Sequence, residues 1–149
     1  MSQTRTLICK EVVTINQPIG AVWAIISGFG AIKTWMPAID SCLFEGDGIG
    51  AVRIVKFKGR VISEQLEICD PESHTISYRF LDPTGFPMLR GFGTISLIAL
   101  DTSVTQVTWI ADAEVVDDDG IAKIAPVFAP FIRENITTLQ SHLERPSRH

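Results

Sequence analysis

Three cysteines in 149 residues, at positions 9, 42 and 69, are too few and too widely spaced to staple a chain or to grip a zinc ion. They read as small apolar fillers, and no disulfide framework, metal or cofactor is expected. Basic residues are scattered: none of the thirteen Lys and Arg residues cluster into the stripe that phosphate binding needs, and the net charge is -4. A nucleic-acid partner is therefore not expected, and the short basic tail from Arg145 to His149 does not change that balance. No stretch of about 18 apolar residues could span a bilayer. The opening MSQTRTLICKEVV lacks the apolar core and small-residue cleavage site of a secretory signal. A cytoplasmic protein is expected, which makes Asn135-Ile136-Thr137 a chance match to a glycosylation acceptor. Histidine is scarce as well. His74 follows a turn, His142 and His149 lie in or after the last helical pattern, and nothing in the sequence supports a catalytic triad.

What the sequence does have is apolar residues in two different periods. They make up 46% of the chain against 20% charged, the balance of an ordinary globular protein, and the length fits one domain over residues 1–149. Leu7 to Ile15 alternate and are β-branched, which predicts a first strand. Asn16-Gln17-Pro18 starts a short helix, with Asn16 or Gln17 near its cap; Gly28 and Gly30 stop it, and Ile32 to Trp35 add a further helical turn. Strands are predicted at Cys42–Glu45, Ala51–Phe57, Arg60–Ile68, Thr75–Leu81, Met88–Leu100 and Val104–Val116. The connections are short, so neighbours run antiparallel. Gly46, Gly48 and Gly50 mimic a phosphate-binding loop, but a strand follows them where a helix is required, so they read as a hairpin turn. Asp117, Asp118 and Asp119 precede a long amphipathic pattern in which Ile121, Ile124, Ala125, Phe128, Phe131, Ile132, Ile136, Leu139 and Leu143 form one stripe. Pro126 and Pro130 predict a kink or a late start in its first half, with a pocket entrance there. The fold class is α+β: a curved antiparallel sheet of six or seven strands wrapped around the last helix, with two short helices after the first strand.

This order resembles the helix-grip fold of the SRPBCC superfamily, which contains START, Bet v 1 and polyketide cyclase/dehydrase proteins. The text carries the resemblance. PIGAVWAIISGFGAIKTWMPAI, with Trp23, resembles the family's opening, EGDGIGAVR its glycine-rich turn ending in Gly-x-x-Arg at Arg53, and ISEQLEICDPESHTISYRF its E-x-L-x-x-x-D segment followed by an aromatic strand. The chain is most similar to small bacterial cyclase/dehydrase-type proteins and more distantly to plant abscisic-acid receptors. It departs from the receptors at Phe57-Lys58-Gly59-Arg60, at Pro87-Met88-Leu89 and at Asp40, where their gate, latch and pocket lysine would fall.

Strand alternation, phased by the resemblance, puts Val55, Phe57, Ile62, Glu64, Tyr78, Phe80, Arg90, Phe92, Thr94, Thr108, Ile110 and Asp112 on the concave face. A single bulge would instead turn the Trp109 set inward. Trp35, Met88, Phe128, Phe131 and Ile132 complete the ligand-binding set, with Phe29 and Phe86 near the mouth. Glu64, Arg90 and Asp112 are the candidate catalytic residues: Arg90 to hold a ligand carboxylate or enolate, and Glu64 or Asp112 as a base. The alternative is an internal salt bridge that neutralises itself. The resulting expectation is binding or transport of a hydrophobic small molecule, such as a lipid, polyketide, terpenoid or aromatic acid. A cyclase or dehydratase using the polar trio is the rival, and a ligand-gated regulatory module read through the loops near Gly59 and Gly85 is a third reading. A homodimer stays open.

Overall fold

A computed structural model describes residues 4–144; the basic tail, with His149, lies outside the described residues. The elements are β1 (Thr6–Ile15), α1 (Ile19–Ile26), a 3-10 segment (Phe29–Thr34), β2 (Ile39–Glu45), β3 (Val52–Phe57), β4 (Arg60–Asp70), β5 (Thr75–Leu81), β6 (Leu89–Asp101), β7 (Val104–Val115) and α2 (Asp118–Glu144). The seven strands form one sheet in the order β1-β7-β6-β5-β4-β3-β2, every neighbour antiparallel. From β2 onward this is a meander that β1 closes on the far side. The hairpin chemistry explains it. Gly46, Gly48 and Gly50 all take positive φ in the β2–β3 turn, and Lys58 and Gly59 do so between β3 and β4. Two successive positive-φ residues make a turn whose twist matches that of the strands it joins.

The short helix α1 is capped by Pro18 in extended geometry with no side-chain cap, so neither Asn16 nor Gln17 takes that place. The Pro18 carbonyl accepts from Ala21 and Val22 at 3.0 and 3.2 Å.

Helix α2 lies on the sheet nearest β1 and β7 and buries Ile124, Phe128, Ile132, Ile136 and Leu139 against it. It neither starts late nor breaks at its prolines. Pro126 and Pro130 stand one turn apart on the exposed side, so the carbonyls they leave without an N–H, those of Ala122 and Pro126, face water that can replace the lost bond. The start is set by Asp117, whose Oδ1 accepts from the Gly120 N–H at 2.7 Å, while Asp118 and Asp119 occupy the first turn. Acceptors and negative charge are favoured at that end. Asp117→Ala is expected to lower stability by about 1 kcal/mol in denaturant unfolding; an unchanged midpoint would mean that water caps the helix as well. Asn135 is buried and returns its amide to the Phe131 carbonyl at 2.8 Å, which removes it from any modifying enzyme. Among the described residues no helix is long and apolar enough to cross a membrane.

Candidate functional site

The concave sheet and α2 do not fill the space between them. A cavity of about 60 Å³ remains, where one water needs roughly 10 to 15 Å³. Val55, Phe57, Ile62, Glu64, Tyr78 and Phe80 line it from the strands, and Phe128, Phe131 and Ile132 from the helix. The wall is completed by Ile32, Met36, Ile39, Arg53, Trp109 and Ala111. It holds a few waters or one small ring, far less than the roughly 300 to 1,000 Å³ of pockets that enclose drug-sized ligands. At its edge Phe57 meets Phe131 with centroids 4.6 Å apart, and Phe86 meets Phe128 at 5.0 Å. Arg60 ties the β3–β4 turn to the β5–β6 loop by donating to the Gly85 carbonyl at 3.2 Å and placing its guanidinium 4.4 Å over the Phe86 ring.

β6 and β7 face the other way from the expected phase. Gly91, Gly93, Ile95, Leu97, Val107, Trp109, Ala111 and Ala113 point inward and are buried, so Phe92, Thr94, Thr108, Ile110 and Asp112 lie on the outer face. The phase comes from the resemblance, and the inward positions at the start of β6, Gly91 and Gly93, carry no side chain that could correct it. Phe92 instead carries the Arg5 guanidinium 3.4 Å above its ring, and Arg5 pairs with Asp112 at 2.7 Å. Thr94 bonds Ser77 across the strands. Arg90 sits in left-handed geometry (φ +54°), where the strand is just forming. Its side chain is half exposed and pairs with Glu114, so it cannot hold a ligand in the cavity. Trp35 is fully buried behind the wall, against Trp109 at 6.0 Å, with its indole N–H unpartnered. Met88 packs over Gly91, outside the lining.

The cation that does reach the cavity is Arg53. Its Nε donates to Glu64 Oε1 at 2.7 Å and its Nη1 to the Phe29 carbonyl at 3.0 Å, and the guanidinium lies over the rings of Phe29 and Tyr78 at 4.0 and 4.7 Å. Its selection was readable: position 53 shares a face with 55 and 57 by period-two alternation, and the two-residue turn after Phe57 sets it opposite Glu64. Glu64 thus forms an internal salt bridge, with Arg53 as its partner in place of Arg90. Beyond it Tyr78 crosses β6 where Gly93 leaves room; a Cβ on Gly93 would stand 2.3 Å from the ring. Its hydroxyl accepts the Trp109 indole N–H at 3.1 Å. Burial, helped by the charge of Glu64, pushes the Tyr78 phenol well above its ordinary value, so it stays protonated and keeps an O–H to donate. Among the described residues no group of three or more His, Cys, Asp or Glu could hold a metal ion.

Known proteins share this architecture. A Thermobifida fusca protein solved in solution superposes with a TM-score of 0.78 at 20% identity, over 94% of this chain and 97% of its own. XoxI from Bacillus cereus gives 0.74 at 22% identity, over 98% and 99%. Norcoclaurine synthase from Thalictrum flavum, in complex with dopamine and hydroxybenzaldehyde, gives 0.72 at 14%, over 97% and 90%. At these identities the likeness is one of fold. No curated protein matches the sequence. The family described as polyketide cyclase / dehydrase and lipid transport matches residues 7–144. That match spans nearly the whole sheet and the helix that covers it, and the chain belongs to this family.

Proposed function

We propose that this protein binds a hydrophobic small molecule in the cavity between its sheet and α2, as a carrier or binding module. The observation that carries the reading is an apolar, aromatic wall with one paired polar group set into it, the usual composition of a small-molecule site. The family's description, which joins cyclase and dehydrase activity with lipid transport, supports ligand binding without choosing a ligand. A molecule larger than one ring needs Phe57, Phe128 and Phe131 to part, and these contacts are aromatic edges rather than hydrogen bonds.

The enzyme reading keeps one specific support, a carboxylate and a protonated phenol near one cavity. Glu64 is held by Arg53 in a structural pair, however, and among the described lining residues Tyr78 is joined by no second carboxylate, histidine or thiol. Binding therefore ranks first.

Ala111 is the test position, since it lines the cavity and is small. Native mass spectrometry of protein purified from its host is expected to show one retained apolar molecule. Ala111→Leu, which grows into the empty space, is expected to weaken that retention at least about tenfold, or about 1.4 kcal/mol, while the fold persists. Equal retention by the variant would move the site elsewhere. Turnover of a polyketide-like substrate that vanishes in Glu64→Gln would install the enzyme instead.

A further inference from the structure

We propose that the cavity selects neutral ligands and rejects ions of either sign, with the Arg53–Glu64 pair as the selecting device. This rests on the ligand-binding reading and names the class of ligand that site would take. Arg53 and Glu64 are the charged residues among those lining the cavity. They stand 2.7 Å apart with side chains 5% and 9% exposed, so the wall presents a dipole with no net charge. Arg5, Asp112, Arg90 and Glu114 are paired with one another on the outer surface of β6, β7 and the N-terminal segment, and offer the interior no counterion.

A ligand carboxylate brought beside Arg53 comes close to Glu64 as well, so attraction and repulsion largely cancel while the ion has lost its water. To bind it properly, Arg53 would have to release Glu64 and leave that carboxylate buried and unpaired. An ammonium meets the same obstacle with the signs exchanged. Arg53 cannot swing aside at little cost, because its Nη1 is engaged by the Phe29 carbonyl and its plane is stacked on Phe29. A hydroxyl or carbonyl gives up far less hydration. It can accept from the remaining guanidinium N–H groups or donate to the second oxygen of Glu64 without breaking the pair.

Benzyl alcohol, benzoate and benzylamine share a ring and differ in charge, which makes them suitable probes. Each would be titrated at neutral pH into the full chain, with the Trp109 indole N–H followed by NMR, since Trp109 lines the cavity. The alcohol is expected to bind at least about tenfold more tightly than either ion, a gap of about 1.4 kcal/mol. In Glu64→Gln, which uncovers the Arg53 charge, benzoate should gain at least about tenfold and close most or all of its gap to the alcohol, while benzylamine stays excluded. Native protein that binds benzoate or benzylamine as tightly as the alcohol would overturn the selection while leaving ligand binding intact. A folded Glu64→Gln that still excludes benzoate would remove Glu64 from the role. No response to any of the three probes would remove the ligand-binding reading itself and the selection with it. The comparison in the native protein does not depend on the variant folding.

Discussion

Replacing Arg53 by Met is expected to destabilise the protein by about 3 to 5 kcal/mol, the largest effect foreseen for any single side chain in the site. The substitution keeps much of the apolar contact with Phe29 and Tyr78 but strands Glu64, whose carboxylate is bonded to Arg53 inside the core and is 7% exposed. An uncompensated buried charge is the costly part; the intact pair contributes little net stability, because the desolvation of both groups offsets most of their attraction. The double variant Arg53→Met/Glu64→Leu should therefore recover most of the loss, and denaturant unfolding of the three proteins decides it. Equal destabilisation in single and double variants would mean that the pair stabilises in its own right.

A second large effect is expected at a residue without a side chain. Gly93→Ala places a methyl group 2.3 to 2.6 Å from the Tyr78 ring, a distance that no rotamer adjustment of the alanine can relieve. Either the ring leaves or β6 shifts, and overpacking of this kind costs about 1 to 3 kcal/mol. If the ring leaves, Trp109 loses its acceptor, so tryptophan emission should change together with the unfolding midpoint. Tyr78→Leu in the Gly93→Ala background should restore part of the stability, since a leucine ends before the crossing. Wild-type stability and emission in Gly93→Ala would show that the ring does not need that gap.

The two substitutions also mark where sequence stopped informing. The fold was legible because its signals are local and redundant. Thr75–Leu81 matches β5 residue for residue, Arg60 begins β4 as expected, and the glycine turns fall where positive φ is used. The facing of β3, β4, β5 and α2 followed from alternation phased by the resemblance and from the helical stripe. The facing of β6 and β7 did not, because phase is inferred from side chains and Gly91 and Gly93 have none. With the phase inverted, Arg90 and Asp112 were brought inside and Trp109 left out, a single error spread over two strands. Arg53 was missed for a different reason. It was assigned to a turn motif, although the strand ending at Phe57 and the two-residue turn after it already place it on the inner face opposite Glu64. The prolines of α2 did not delay its start, because Pro126 and Pro130 lie on the exposed side, where water can stand in for the bonds they remove.

The position of α2 after the last strand has a consequence for biosynthesis. A ribosome makes all seven strands before the helix that covers them, so the buried side chains of that cover, from Phe128 to Leu139, are the last of the core to be translated. At roughly 5 to 20 residues per second, the 27 residues of α2 take on the order of one to five seconds to appear. Until α2 has docked, the apolar concave face has no cover, and the newly made chain is then most exposed to capture by chaperones or by other nascent chains.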